Sequence, residues 1–428
     1  MNVVYITSGA AGMYCGSCMR DNTLARALHQ WGHGCVLVPT YTPIRTDEPD
    51  ESLPRVFFGG ISVYLQQKYA WARRLPAWLD RWLSQPWLLR QVSKRAMSTR
   101  AEELADLTIS MLRGMDGHQR LEVVRLTNWL REHTPNTDVV ILTNALISGL
   151  VPHLRQAWGK PIWVTLQGDD IYLESLPAAA RAQAIELMRR NCADVAGFFL
   201  PCRAYADFMS GYLGLARERM HIVPPGIDLN GYPETPPPVR STEPLTIGYL
   251  ARIAPEKGLH VLVEACNRLA QRSDGPAWRL RAAGYLAPHR RDYLTELLAR
   301  AKAGGWGDRF EYLGEPDHAG KLAFLSQLDL FSVPTTYREP KGLYLLEALG
   351  HGIPSVQPAH GSFPEMLEAT GGGCLVPPED PTALAEALAQ LLRDPARRAE
   401  LGRRGLAAVR EHYTAQRMAA ATIAAVAG

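Results

Sequence analysis

The sequence is short of several features, and each shortage closes off a class of protein. Its 46 Lys and Arg stand against 43 Asp and Glu, a formal net charge of only +3 over 428 residues. Nucleic acids select a strong basic excess, so no nucleic-acid partner is expected. No apolar run reaches the roughly 18 residues that a membrane-spanning helix needs. The longest candidate, residues 139–151, is broken by Thr143, Asn144 and Ser148. The opening MNVVYITSG has neither a basic region nor a cleavage site, so no leader is expected and the chain reads as cytoplasmic. Cysteine is scarce as well. Cys15, Cys18, Cys35, Cys192, Cys202, Cys266 and Cys374 are odd in number and scattered, which suits reduced thiols better than a disulfide framework. Cys15 and Cys18 form a CxxC, but no second Cys or His pair stands at the spacing a zinc site requires. They read as small residues in a tight turn, and no metal site is expected.

What is present is an α/β rhythm, repeated. A chain of this length divides naturally into two domains of roughly 200 residues. Residues 3–7 read as a strand, Gly9, Gly12 and Gly16 as a turn, 20–31 as a helix stopped by Gly32, and 35–38 as the next strand. That is a βαβ unit, the building block of a doubly wound sheet. Further strand-like runs cover 139–142, 162–166 and 198–201. The Pro-rich segment 233–244 reads as a linker. It separates an N-terminal Rossmann-like domain, 1–232, from a C-terminal one, 240–409. The second series has strand-like runs at 245–250, 278–283, 310–313, 330–333 and 354–357, and an Ala-rich terminal helix is expected over 410–426.

One stretch breaks the rhythm. Residues 64–113 interleave Trp71, Trp78, Trp82 and Trp87 with Lys68, Arg73, Arg74, Arg81 and Arg90. Trp and Leu at helical spacing suit an insertion packed on the N-terminal domain. The alternative is a basic amphipathic surface that meets the inner face of a membrane or a lipid-linked acceptor.

Two loops carry the chemistry. In Pro334-Thr-Thr-Tyr-Arg-Glu-Pro-Lys-Gly-Leu-Tyr-Leu-Leu-Glu347 a strand ends in a polar loop and a helix starts near Gly342. Glu339 lies in the loop and Glu347 on the helix. Eight helical residues rise about 12 Å, beyond the roughly 5 to 9.5 Å between paired glycosidase carboxylates. The spacing suits two acids that grip opposite ends of a long ligand. Between them, the amides of Gly342 and Leu343 open a helix, a favourable place for an anion, and Gly342 lets the backbone approach it. A ligand with hydroxyls at both ends and a diphosphate between is a nucleotide sugar. Lys341, in the same loop, is either a solvated cation or a second phosphate contact. In the other loop, Arg252 and Lys257 stand between a strand ending at Leu250 and a helix beginning near Leu259. Two cations beside a helix N-terminus can clamp a diphosphate and neutralise the charge that grows on a leaving phosphate.

These motifs resemble glycosyltransferase family 4. The likeness rests on Arg252 with Pro255-Glu256-Lys257-Gly258, Glu339 to Glu347 with Ala348-Leu349 and Gly352-Ile353-Pro354, Gly284 after a strand, Tyr312-Leu313-Gly314 and Pro364-Glu365. It covers the C-terminal half nearly throughout and, in the N-terminal half, the first βαβ unit and the turn 224–228. The resemblance implies a GT-B fold, two doubly wound domains facing across a cleft, with the final helix crossing back to the N-terminal domain. It implies transfer of a sugar from a UDP- or GDP-sugar donor to a hydroxyl acceptor (a sugar, a lipid-linked or a small molecule), with retention, no metal and no resident cofactor. Arg252 and Lys257 would hold the diphosphate, Glu339 the donor sugar and Glu347 the ribose. Gly342 and Leu343 would offer amides, and Gly12 and Gly284 would line the donor site. One departure stands in Thr165-Leu166-Gln167-Gly168-Asp169-Asp170: Gln167 occupies a place where the family often has His. Gln donates a hydrogen bond to a sugar hydroxyl but takes no proton. Asp169 and Asp170 read as a helix N-cap or an acceptor contact. Two alternatives remain open, a protein that binds nucleotide sugar without catalysis and a sugar-nucleotide epimerase on the same fold.

Overall fold

The computed structural model describes residues 1–9, 15–58, 101–238 and 243–428. Gly12 and the tryptophans of the expected insertion, Trp71, Trp78, Trp82 and Trp87, lie outside the described residues. The chain forms two compact units, Met1–Pro224 with Met418–Gly428, and Pro225–Arg417. The division falls just upstream of the Pro-rich segment.

The first unit is built on six parallel strands: β1 (Asn2–Thr7), β2 (Gly34–Pro39), β3 (Val139–Leu142), β4 (Ile162–Thr165), β5 (Gly197–Leu200) and β6 (Met220–Ile222). Their order is β2-β1-β3-β4-β5-β6. Val3 pairs with Cys35 on one side and Val139 on the other. Strands β3, β4 and β5 are buried at every position, which is why they read as unbroken apolar runs rather than alternating ones. Helix α1 (Gly16–Gln30) begins earlier than expected and buries Arg20 and Asp21 beside its apolar residues. A short helix, α2 (Asp169–Glu174), follows β4. Of the expected insertion, helix Ala101–Leu112 is described, and its Ala105, Ile109 and Leu112 join the core of this unit. That end of the insertion is a packed helix.

The second unit holds β7 (Leu245–Leu250), β8 (Trp278–Ala283), β9 (Phe310–Tyr312), β10 (Leu330–Phe331), β11 (Ser355–Pro358) and β12 (Gly373–Val376), all parallel, in the order β12-β11-β10-β7-β8-β9. Read from the β9 edge, this is the 3-2-1-4-5-6 order of a doubly wound sheet, and the direction of winding reverses between β7 and β10. Helix α3 (Leu259–Ala270) follows β7, α4 (His318–Leu325) precedes β10, and α5 (Leu343–Gly350) follows it. Leu259, Leu262, Cys266 and Leu269 of α3 are buried at intervals of three and four, one face of a helix laid on the sheet.

The chain's end departs from the single helix expected over 410–426. Helix Pro395–His412 stops at Tyr413, and α6 (Ala415–Ala427) starts after Thr414. The break has a backbone cause. The Ile227 N–H donates to the Tyr413 carbonyl and the Ala415 N–H donates to the Ile227 carbonyl, each at 2.9 Å. Gly226 makes room, since a Cβ there would stand 2.2 Å from the Thr414 oxygen.

Candidate functional site

In an open α/β sheet, ligands bind outside the carboxyl ends of the strands where the winding reverses. In the second unit that place lies between the loops after β7 and β10. Close backbone contacts lock the two loops together. Gly258, at φ +73°, would carry a Cβ only 1.7 Å from the Pro334 carbonyl oxygen, so no other residue fits. The Thr336 N–H donates to the Glu256 carbonyl at 3.1 Å. Gly284 approaches from the end of β8 at φ +138°, where a Cβ would meet the Ala251 oxygen at 1.9 Å. It thereby sets the path of the backbone just before Arg252.

This locking brings Lys257 and Glu339, 82 residues apart, into contact: Nζ stands 2.6 Å from Oε2 of a carboxylate that is 3% exposed. The Tyr337 and Tyr344 hydroxyls donate to the same oxygen. Oε1 accepts the backbone N–H groups of Lys341 at 3.2 Å and Gly342 at 3.4 Å. Burial alone would push the Glu339 carboxyl up. Lys257 and Lys341 outweigh it and hold the carboxyl well below the usual range. Lys341 is itself buried, which rules out the solvated reading of that residue. Gly342 caps α5 in the left-handed region at φ +60°. Its amide, expected to face an anion, already serves Glu339. The Leu343 amide has no backbone acceptor among the described residues. Arg252 lies outermost, its side chain 43% exposed and 3.3 Å from Glu256.

Glu347 is not part of this cluster. It lies farther along α5, where Lys321 of α4 reaches its Oε1 at 2.7 Å. Both side chains are buried. The structure thus gives each of the two glutamates its own lysine.

Sequence reasoning missed Lys321, Tyr337, Tyr344 and Gly361. Gly361 allows the Glu339 loop to close, for at φ +59° its Cβ would stand 2.4 Å from the Glu339 carbonyl. The His360-Gly361-Ser362 turn after a strand was a usable signal for it. Lys321 had none, because its partner is on another helix.

In the first unit, Gln167 turns inward. Its Nε2 donates to the Thr143 carbonyl at 2.9 Å and lies 3.3 Å from Asp21 Oδ1. The donors expected to meet a sugar hydroxyl therefore have protein acceptors, because Asp21, fully buried on α1, needs donors around it. Tyr5, Thr7 and Thr143 supply the others. Burial raises the Asp21 carboxyl, opposed mainly by Arg20. Asp169 does not cap its own helix. Its carboxylate accepts from the Ala145 N–H at 2.7 Å and the Gln167 N–H at 3.1 Å, so it anchors the turn that opens at Ala145. Asp170 accepts from the Tyr205 hydroxyl. All seven cysteines are free thiols.

Two family models divide the chain. The model described as Glycosyl transferases group 1 matches residues 234–407, and the Glycosyl transferase 4-like domain matches residues 22–226. The chain belongs to glycosyltransferase family 4. One relative is the GDP-mannose-dependent alpha-(1-6)-phosphatidylinositol monomannoside mannosyltransferase of Mycobacterium tuberculosis H37Rv, 27% identical over 68% of this chain and 75% of that one. Another is the phosphatidyl-myo-inositol mannosyltransferase of Mycobacterium leprae, 32% identical over 39% of this chain and 42% of that one. The chain spans 45% and 36% of the length of two further glycosyltransferase relatives, from Escherichia coli and Salmonella typhimurium. Among solved structures, sucrose-phosphate synthase from Thermosynechococcus elongatus has a TM-score of 0.69 at 18% identity, covering 99% of this chain and 98% of that one. HepE from Anabaena, in complex with UDP and glucose, reaches 0.68 at 15% identity over 100% of both chains. At such identities the likeness shows the fold, GT-B.

Proposed function

We propose that the protein transfers a sugar from a nucleoside-diphosphate donor to a hydroxyl acceptor, with retention at the anomeric carbon and without a metal. The observation that carries this reading is the joined Lys257–Glu339 loop pair at the reversal point of the second sheet. A cation, a polarised carboxylate and the first turn of α5 converge there, as a diphosphate and its sugar require. Lys257, with Arg252 at the rim, would take up charge as the phosphate leaves. Lys341 would add to the same positive field. Glu339, held ionised by its lysines, accepts hydrogen bonds and so suits sugar hydroxyls. Glu347 suits the ribose, one helix turn and more away. A donor phosphate oxygen would then receive the acceptor's proton, and no protein base is assigned. The GDP-mannose-dependent relative and the UDP complexes of HepE support a UDP- or GDP-sugar as donor. The phosphatidylinositol-directed relatives favour a lipid-linked acceptor. A cytoplasmic enzyme with peripheral membrane contact fits that acceptor. No described helix is long and apolar enough to cross a membrane.

The test is transfer from labelled donor by Lys257→Ala and Glu339→Ala proteins. Each is expected to lose at least about a hundredfold in turnover, the scale of removing one charge-stabilising group. Undiminished transfer would sink the assignment. A second reading, donor binding without catalysis, is favoured by the inward-turned Gln167. Nucleotide binding with neither transfer nor hydrolysis across a panel of acceptors would establish it.

A further inference from the structure

The Lys321–Glu347 pair stands apart from the Lys257–Glu339 cluster, and it is built as a fixed element. Asp317 caps α4 by accepting the Gly320 N–H at 2.8 Å, which sets where the helix begins and so where Lys321 points. From there Nζ meets Oε1 of Glu347 at 2.7 Å, with each side chain 9% exposed. On the other side of Glu347, the His351 ring nitrogen Nδ1 donates to its backbone carbonyl at 3.2 Å. Burial holds His351 down at about 4, so it is neutral at pH 7 and adds no charge there. A buried ion pair of this kind contributes little net stability. What it does supply is direction. A glutamate side chain has three rotatable torsions, and a cation on one oxygen fixes the plane in which the carboxylate meets a diol.

We propose that Lys321 is a positioning residue for the ribose end of the donor site: by holding Oε1 of Glu347 it orients that carboxylate toward vicinal hydroxyls and so makes the site select ribonucleoside over deoxyribonucleoside diphosphates. The proposal rests on the reading of Glu347 as the ribose contact. Charge-assisted hydrogen bonds from a diol to a carboxylate are strong only when the geometry is preset.

The experiment measures, by calorimetry, the affinities of the full chain for uridine diphosphate and guanosine diphosphate and for their 2′,3′-dideoxy counterparts. The wild type is expected to favour the ribo form by about tenfold or more, the worth of one charge-assisted hydrogen bond. In Lys321→Met that ratio is expected to collapse to about threefold or less, and Lys321→Arg is expected to restore most of it. A purely structural lysine would weaken ribo and dideoxy ligands alike, and an unchanged ratio in Lys321→Met overturns the proposal. Should that protein not fold, Lys321→Gln is judged by the same ratio. A wild-type ratio near one would overturn the ribose assignment of Glu347 itself, and the proposal with it.

Discussion

Asp169 and Glu339 are both buried acids, and their environments push them in opposite directions. Around Asp169, burial dominates over the two amides it accepts from, and the carboxyl is raised from 3.8 to about 6. A raised acid favours folding in its protonated form. Its contribution is full below the unfolded value and is lost as pH climbs through the folded one. Asp169→Asn should therefore remove a fall in stability between about pH 4 and pH 6 worth about 3 kcal/mol. Denaturant midpoints of both proteins across that range measure it, and parallel curves would contradict it. Glu339 is the reverse case. Its carboxyl is held low by Lys257 and Lys341 against the cost of burial. Its contribution is present above the ordinary carboxylate range and is lost as pH falls through the folded value. Lys257→Met removes a countercharge but leaves the burial, so the acid limb of the stability curve should move to higher pH. Equal acid midpoints in the two proteins would refute the balance described here. Residues of this kind were legible in sequence as site candidates because motif spacing isolates them. Tyr344, the partner of Glu339, and Lys321, the partner of Glu347, were not, since an apolar helix face and a lone lysine carry no mark of what they will touch.

Elements were read about equally well in the two units. Strands β7 and β8 were located to the residue: β7 is buried at every position, and β8 alternates buried Trp278 and Leu280 with half-buried Arg279 and Arg281. Strand β12 was missed: Gly373, Cys374 and Leu375 are only partly buried or exposed, and pairing with β11 rather than composition makes them a strand. Helix α3 shows how an element places chemistry. Its apolar face holds the helix against the sheet, and its first residue follows Gly258, directly after Lys257. Leu262, fully buried on that face, is expected to cost about 2 to 5 kcal/mol when changed to Ala, by lost transfer energy and the cavity left behind. Thermal or urea unfolding gives the figure. A loss below about 1 kcal/mol would mean that the helix collapses into the space, well under the usual range for buried leucines.

At the scale of the whole molecule, the two units are not two consecutive pieces of chain. The first is completed by Met418–Gly428, and Met418, Ala419 and Thr422 are buried. A protein ending at Arg417 is expected to keep the calorimetric transition of the second unit and to lose several degrees in that of the first, a shift of about 4 to 8 °C per kcal/mol in a small domain and less in a larger one. Two unshifted transitions would show that α6 is dispensable. The break between the last two helices has a further consequence, for synthesis. The ribosome delivers the first unit's strands early, but that unit cannot close until residues 418–428 leave the exit tunnel. By then the second unit, whose residues end at Arg417, has been fully made. Residues Met418–Gly428 therefore join strands made far earlier, and the nascent first unit stays open-ended for nearly two hundred codons after Pro224.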